Sequence, residues 1–455
     1  MASKQGIRVS SQTKTILHEI MSNKRSNKAA ADQPAALLTV TLTLSSGKLP
    51  ADLVIEIFRK LPAASTLAVL RCVCKSWRAH LSDPSFLRRI LVIDDDLDGS
   101  RQIMTFRLTD DQKPLFSPCS YDTLLPLSAD PPQPVLLLSA AGEDLRCHVV
   151  GHDNGIFCLG DGIGYPGGFH LHNPATSETK ALPPSPFTLP EYFGHSCGHM
   201  FGFDSKANDY KFIRLRKVIF HHEWKRVQDG QKDKGVSFAE VYSLRNDSWS
   251  KVETDVNLYW FCLYSANSVL ESHDGKCYRW EREYCNKGRS RTRVLSFDLA
   301  KEVFEMFEVL DPLPEKWPAY FYKVIRPRHV SFVRGSMVVV FDGGEMMPHA
   351  AMLEIWVMLK LGEAASWVKL YGVPRGSDGW DYYKSRPLGL WKDWKCVFVK
   401  KKEENWSVRG GEVLVFDPEI RDAAGLEVRT DSEEIRIIWD YTPNRVSLAG
   451  FSDTD

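Results

Sequence analysis

Apolar residues near the start of the chain recur at the spacing of an α-helix. Leu53 and Ile57 lie four residues apart, and Val54 and Phe58 form a second row beside them. After a turn at residues 61–65, the helical spacing resumes. Three short helices of this kind expose more apolar surface than so small a segment buries by itself. We therefore expect one face to dock into a groove of another protein.

The pattern changes after about residue 88, where short apolar runs alternate with Asp, Asn, Gly and Pro. These runs repeat a hairpin made of an apolar strand, a polar turn and a second strand. The hairpins fall at residues 169–182, 241–252, 294–307, 355–370 and 413–418. Further strand-like runs, such as residues 276–280 and 336–341, precede some of them. The turns use Asn173 and Asp204, whose side chains are expected to accept hydrogen bonds from amides two residues on.

Repeating four-stranded units predict a β-propeller, because a closed ring buries both apolar faces of each small sheet and protects its edges. At roughly 60 residues per blade, the remaining length predicts about six blades. The run at residues 435–439 is expected to close the ring by pairing with strands around Ile93 and Phe106. Two packed β-sandwiches are the alternative architecture.

These patterns divide the chain into three parts. Residues 1–48 read as a disordered tail, although the basic, Ser-containing composition of its start also suits an organelle transit peptide. Residues 49–91 form a small all-α unit of three helices, and residues 92–455 form a large all-β domain.

Composition narrows the classes of function. Lys and Arg number 58, Asp and Glu also number 58, and the net charge is zero. No global positive field favours nucleic acid or a membrane surface, so we expect neither as a partner. Ten cysteines in 455 residues are too few for a disulfide scaffold. Cys158 and Cys396 stand in apolar runs, which predicts buried free thiols and a cytoplasmic or nuclear protein.

The helical segment resembles the F-box. The resemblance rests on Leu49-Pro50, Asp52-Leu53, Glu56-Ile57-Phe58, Leu61-Pro62, the block from Arg71 to Arg78, and Ser82-Asp83-Pro84-Ser85-Phe86. The ending Arg78-Ala79-His80-Leu81 departs from the commoner Arg-x-Leu-Ile. F-box motifs bind the Skp-type adaptor of cullin–RING ubiquitin ligases, so the resemblance implies a substrate receptor. The residues expected to bind the adaptor are Leu49, Pro50, Leu53, Ile57, Phe58, Leu61, Val73 and Trp77. Some of them, Trp77 above all, are also expected to pack inside the motif.

The β region resembles the F-box-associated domain of plant S-locus-type proteins. The residues that carry this resemblance are Gly151–Leu159, His172–Thr176 and Phe201–Lys211. Propellers usually bind partners through loops of one face, where aromatic side chains serve as anchors. The candidates for binding an unknown protein substrate are Trp317, Tyr320, Tyr322, Trp380, Tyr382 and Tyr383. The basic stretch at residues 279–293 is a further candidate, for an acidic target.

The residues predict no cofactor, metal or catalytic group. His195, Cys197 and His199 lie close together, but a zinc site needs about four ligands and no second pair stands nearby. Gly194-His195-Ser196-Cys197-Gly198 has the letters Gly-x-Ser-x-Gly, but it lies in the strand-rich region with no helical pattern after it, so we do not expect the nucleophile elbow of a hydrolase there. The leading hypothesis is a non-catalytic receptor that reaches cullin and RING subunits through the adaptor. The alternatives are an F-box scaffold or inhibitor that delivers no substrate, and a kelch-like propeller enzyme whose turnover the F-box controls.

Overall fold

The chain divides into two compact units, Met1–Val92 and Ile93–Asp455. The computed structural model describes residues 75–83, 86–87, 90, 102–109, 113–128, 132–135, 147–160, 168–187, 194–218, 236–254, 256, 271–284, 290–308, 327–333, 335–342, 353–363, 366–374, 385–391, 394–401, 411–426 and 435–448. In the first unit these include one short helix, α1 (Lys75–His80). Buried apolar residues follow it at Leu81, Phe86, Leu87 and Ile90. The predicted tail at residues 1–48 and the predicted first helix, with Leu53 and Ile57, lie outside the described residues. Of the second apolar stripe only the end at Trp77 falls within α1.

The second unit is built from antiparallel sheets. Two strands come first, β1 (Gln102–Leu108) and β2 (Pro114–Ser120). Five four-stranded sheets follow in chain order, and we number them blades 1 to 5. Blade 1 contains β3 (His148–Asp153), β4 (Ile156–Gly160), β5 (Phe169–Asn173) and β6 (Glu178–Ala181). Blade 2 contains β7 (Gly194–Asp204), β8 (Asp209–Val218), β9 (Val236–Ser243) and β10 (Ser248–Glu253). Blade 3 contains β11 (Glu271–His273), β12 (Lys276–Tyr284), β13 (Ser290–Asp298) and β14 (Val303–Glu308).

The remaining strands complete the ring. Blade 4 contains β15 (Pro327–Val333), β16 (Ser336–Asp342), β17 (Leu353–Met358) and β18 (Trp367–Val373). Blade 5 contains β19 (Ser385–Trp391), β20 (Lys395–Lys401), β21 (Gly411–Asp417) and β22 (Asp422–Leu426). The last strand is β23 (Ile435–Tyr441). It pairs antiparallel with β1, in a three-stranded closing sheet of order β2-β1-β23.

This closing sheet confirms the predicted ring closure through the strand at Phe106, whereas Ile93 lies outside the described residues. Met104 lies opposite Trp439, and Phe106 lies opposite Ile437. The first strands of the blades contact one another in succession from β3 to β19, and β19 contacts β23. The large all-β domain is therefore a β-propeller, as predicted, and the β-sandwich alternative is wrong.

The predicted number of blades is corrected. Within the described residues there are five four-stranded blades, rather than about six, beside the three-stranded closing sheet. Division of the chain by an average blade length counted the closing sheet as a full blade, although it takes its strands from both ends of the domain. Four of the five predicted hairpins are the third and fourth strands of blades 1 to 4, and the fifth begins at β21 in blade 5.

Strand connections divide the propeller into two faces. The segments that join the first strand of a blade to the second, and the third to the fourth, are short; they are residues 154–155, 174–177, 205–208, 244–247, 274–275, 299–302, 334–335, 359–366, 392–394 and 418–421. Left-handed backbone angles at Asn154, Asn208, Asp247 and Asp274 suit these bends, since Asn and Asp tolerate that conformation. We call this end the short-turn face. The other connections leave the opposite strand ends, which we call the long-connection face.

Aromatic side chains join neighbouring sheets. The ring centroids of Phe116 and Phe157 lie 4.7 Å apart between the closing sheet and blade 1. Those of Phe169 and Phe212 lie 4.5 Å apart between blades 1 and 2. The Nε1 atom of Trp391 in blade 5 donates a hydrogen bond of 2.6 Å to the carbonyl of Tyr121. Packing of this kind supplies the hydrophobic core of the ring.

Five free cysteines are buried in these cores among the described residues: Cys119, Cys147, Cys158, Cys277 and Cys396. Burial raises the pKa of the Cys396 thiol to about 12. This confirms the predicted burial of Cys158 and Cys396. None of the helices in the described part of the chain has the length and apolar character needed to cross a bilayer.

Candidate ligand-binding site

The side chains of the predicted site residues are not described, so only the helix or strands next to them can be located. Seven of the eight predicted adaptor-binding residues, from Leu49 to Val73, lie outside the described residues. Trp77 belongs to α1, and its side chain is not described. The six aromatic candidates lie in residues 309–326 and 375–384, also outside the described residues. The strand ends that flank both segments lie on the long-connection face.

A cluster of charged side chains lies in the described part of blade 2, toward the same face. Arg214 and Arg216 are two residues apart on β8, so their side chains project from the same side of the sheet. Glu240 on β9 is the register partner of Arg214. Its Oε2 atom lies 2.6 Å from Nη2 and 2.7 Å from Nε of Arg214. Its Oε1 atom lies 3.0 Å from Nε of Arg216. We call these three residues the arginine cluster.

The arginine cluster carries more positive than negative charge. One carboxylate, fully buried, serves two guanidinium groups whose side chains are 12% and 16% exposed. Burial, followed by repulsion from Arg216, lowers the pKa of Arg214 although Glu240 attracts its proton. Within the described residues, Glu240 is the only ion-pair or hydrogen-bond partner of Arg216. The contact uses the Nε atom of Arg216 and not its terminal nitrogens. Neither terminal nitrogen of Arg216 has a hydrogen-bond partner among the described residues.

Aromatic rings border the arginine cluster on the side of blade 1. The guanidinium of Arg214 stacks 5.1 Å from the ring of Trp249, which fixes its plane. His199, the register partner of Arg214 on β7, lies 4.6 Å from Phe169 and 5.7 Å from Phe212 between ring centroids. A ligand that reached the arginines would thus enter between aromatic walls of two blades.

The pKa of the His199 imidazole reflects its burial and the positive charges around it. Burial first, and then the positive charges of Arg279, His148, Arg214 and Arg216, hold its pKa well below the ordinary value of 6.5. The imidazole is consequently neutral near pH 7. The same charges that disfavour a proton on His199 would favour an anion beside it.

Gly198 allows a third arginine to approach from blade 3. The register of β7 shifts between Ser196 and Gly198, where φ is +154°. The Arg279 guanidinium occupies the space that a side chain at Gly198 would need, and its Nη1 atom lies 3.5 Å from the carbonyl oxygen of His199. Only glycine leaves room for this contact. Arg279 belongs to the basic stretch that the sequence identified.

Of the three residues weighed and set aside as zinc ligands, only His199 has a described side chain. The side chains of His195 and Cys197 are not described, and His199 faces aromatic rings. No set of three or more His, Cys, Asp or Glu side chains that could hold a metal ion occurs among the described residues.

Sequence reasoning missed Arg214, Arg216 and Glu240. The usable signal was the alternation Phe212, Arg214, Arg216 within a strand, which places two arginines on one side of a sheet. An arginine pair on a strand ordinarily indicates a solvated face. Here the buried carboxylate of Glu240 pairs with both arginines, but Glu240 lies on a different strand, β9.

Comparison with known proteins agrees with this architecture. The family model of the F-box associated beta propeller domain matches residues 133–447, and that of the F-box domain matches residues 47–89. The F-box protein CPR1 of Arabidopsis thaliana is 24% identical over 84% of this chain and 84% of its own length. The F-box/kelch-repeat protein At3g23880 of the same plant is 24% identical over 73% of this chain and 82% of its own.

Solved structures resemble the chain more distantly. A Trypanosoma rangeli sialidase shares 10% identity over 67% of this chain and 51% of its own length, with a TM-score of 0.37. The β-propeller domain of the Trilobed protease from Pyrococcus furiosus shares 12% identity over 63% of this chain and 72% of its own, with a TM-score of 0.28. The family models cover far more of the sequence. This chain belongs to the F-box-associated beta propeller family and is a plant F-box protein with an F-box domain at residues 47–89.

Proposed function

We propose that this protein is the substrate-recognition subunit of an SCF-type E3 ubiquitin ligase. Its F-box would bind a Skp-type adaptor and, through it, the cullin and RING subunits. Its propeller would hold an unknown protein substrate, and the protein would work in the cytoplasm, the nucleus or both. The carrying observation is the presence in one chain of an F-box domain at residues 47–89 and a propeller domain at residues 133–447.

The physical logic of such a receptor is proximity. The chain itself is not an enzyme, and the reactive thioester would belong to another subunit. A receptor that holds a substrate lysine near that thioester raises its effective concentration without chemistry of its own. A rigid ring suits this task, because it fixes the distance between the bound substrate and the strands that support it.

The long-connection face is the face we assign to substrate. It carries the strand ends that flank both aromatic segments, and the arginine cluster lies toward it. The short-turn face offers less reach, since many of its connections are two to four residues long. Aromatic side chains in longer connections supply the anchors that protein interfaces favour.

Co-purification with a Skp-type adaptor tests the proposal. The double variant Leu49→Ala, Pro50→Ala is expected to lose adaptor binding by at least about 10-fold, because it removes apolar contacts of the first predicted helix. The matched control is Pro126→Ala, Leu127→Ala, since this Pro-Leu pair is exposed in the propeller. The control should bind the adaptor as the wild type does.

Two outcomes decide the matter. Undiminished co-purification of the Leu49→Ala, Pro50→Ala variant would refute the assignment of these residues to the adaptor. For the receptor role itself, proximity labelling under proteasome inhibition compares the intact chain with one that lacks the F-box. Labelled proteins that accumulate ubiquitin only with the F-box present would support delivery of a substrate, and their absence would favour a scaffold.

A further inference from the structure

We propose that the arginine cluster binds an anionic oxygen group of the protein substrate, either a phosphoryl group or a carboxylate. The inference rests on the proposed receptor function and specifies the chemistry that the propeller recognises. Three observations about Arg214, Arg216 and Glu240 carry it: their charge ratio, the orientation of their guanidinium groups and their position on the ring.

Among the described residues, the arginine cluster has two positive charges and one negative charge, so one positive charge is not balanced. Two guanidinium groups share the single carboxylate of Glu240. Charges taken from water need partners, because the interior does not replace their hydration. An anion that bound here would complete the pairing. At the other end of the same strand, the Nζ atom of Lys211 lies 2.9 Å from Glu302 and 3.3 Å from Asp204, so that cation has two carboxylates.

The orientation of the guanidinium groups suits an oxyanion. Glu240 takes the Nε edge of Arg216, and Nε and Nη2 of Arg214. In the part of the chain that the structure describes, the terminal nitrogens of Arg216 and the Nη1 atom of Arg214 have no hydrogen-bond partner, and we assign them to the ligand. Trp249 and Glu240 hold the Arg214 plane in place, so little side-chain freedom is lost on binding. A planar fork of this kind binds phosphate or carboxylate through two parallel hydrogen bonds.

The position of the cluster matches the face assigned to substrate. Arg216 stands two residues before the end of β8 at Val218, on the long-connection face. Its register partners are Ser196 on β7 and Phe238 on β9. Arg279 adds positive charge from blade 3 through its approach to Gly198. A peptide on this face would therefore meet Arg216 and Arg214, with the buried positive charge of Arg279 behind them.

The test uses the full chain, co-expressed with a Skp-type adaptor and purified through a tag on the chain, so that the adaptor is present only if it binds. Inorganic phosphate and acetate are the probes, titrated by calorimetry in chloride buffers of constant ionic strength. Arg216→Gln is the test variant, and it leaves Arg214 and Glu240 as a balanced pair, so the fold is expected to persist. Arg245→Gln is the matched control, because Arg245 lies at an exposed turn on the short-turn face.

We expect wild type and Arg245→Gln to bind phosphate saturably with equal affinity. Arg216→Gln should bind about 10- to 100-fold more weakly, since a charge-assisted hydrogen-bond pair is lost. Saturable acetate binding of similar affinity would assign the site to acidic side chains, and phosphate binding alone would assign it to phosphorylated ones. If neither probe binds saturably, or if Arg216→Gln binds as the wild type does, the inference is wrong.

Thermal unfolding separates this site from a purely structural ion pair. If the cluster serves only stability, Arg216→Gln lowers the melting temperature and phosphate has no effect on any variant. The adaptor in the same preparation distinguishes the two proposals. Adaptor binding without phosphate binding overturns the anion site alone. Phosphate binding that depends on Arg216, without adaptor binding, overturns the receptor function and leaves the anion site standing.

Discussion

The side chain of Asn173 in blade 1 forms hydrogen bonds with the C-terminal segment of the propeller. Its replacement should make that segment open more often. Its fully buried side chain donates hydrogen bonds from Nδ2 to the carbonyls of Asn444 and Val446, at 2.9 Å and 2.8 Å. Its Oδ1 atom accepts a bond of 3.0 Å from the amide of Ala175, within its own turn. Two of the three bonds therefore join segments that are far apart in the chain.

The magnitude follows from these bonds. A buried amide hydrogen bond contributes roughly 1 kcal/mol net, so the two bonds to the C-terminal segment contribute about 2 kcal/mol. Opening of residues 442–448 in Asn173→Ala should become about 30-fold more frequent. Asn173→Asp keeps the acceptor for Ala175 but sets a carboxylate against two carbonyl oxygens. It should loosen the segment at least as much as alanine does.

Amide hydrogen exchange measures this opening directly. The useful reporters are the amides of Val446 and Leu448, which donate to Asn444 and Glu178. The control is Asn246→Ala, because Asn246 is exposed in a turn of blade 2 and its side chain makes no hydrogen bond within the described residues. Equal exchange at both reporters in Asn173→Ala and Asn246→Ala would refute the reasoning. A change confined to the 174–177 turn would do the same.

Two further predictions concern buried charge. Burial lowers the pKa of His329 to about 4, so its neutral form stabilises the fold above pH 6.5 and this stabilisation is lost as pH falls toward 4. The wild type should lose about 2 kcal/mol more unfolding free energy between pH 7 and pH 5 than His329→Gln does, measured by urea denaturation. An equal loss in the two proteins would contradict this prediction. Lys211→Met leaves Asp204 buried without its cation and should cost about 3–5 kcal/mol of unfolding free energy. Adding Asp204→Asn should recover part of that cost in a double-mutant cycle, whereas strict additivity would contradict the pairing.

Local features of the propeller were predictable from sequence because their causes are local. The expected hydrogen bonds within turns are present. The amide of Ala175 donates to Asn173 and the amide of Lys206 donates to Asp204, each at 3.0 Å. Apolar runs separated by polar turns with Asp or Asn identified the hairpins for the same reason. Ring closure by residues 435–439 was predictable from a global requirement, since an open propeller leaves its edge strands unpaired.

The number of blades was not predictable from length. Successive blades use unequal numbers of residues, because the connections on the long-connection face differ in size. The closing sheet adds to the length but contributes no hairpin of the repeated kind. A count of the five hairpins gives five blades directly, whereas division by an average length does not.

The arginine cluster was beyond sequence reasoning for a different reason. Its chemistry depends on the register that sets Arg214 opposite Glu240, and a segment of 17 residues separates β8 from β9. Alternation along β8 identifies which residues share a side of the sheet but not whether a neighbouring blade covers that side. Asn173 shows the same limit, since its turn was predictable and its bonds to Asn444 and Val446 were not.

If the arginine cluster binds an anion as we propose, the two ends of β8 serve different purposes, one stability and the other recognition. At the short-turn end, Lys211 is matched by two carboxylates, and Asn173 at the same end of blade 1 donates hydrogen bonds to carbonyls of the C-terminal segment. At the long-connection end, two arginines share one carboxylate. A cation matched by two carboxylates resists a further anion, because the anion would have to displace a partner, whereas two cations that share one carboxylate keep a net positive charge that attracts one. Substitutions at Lys211 should therefore alter stability without altering anion affinity, and substitutions at Arg216 should do the reverse.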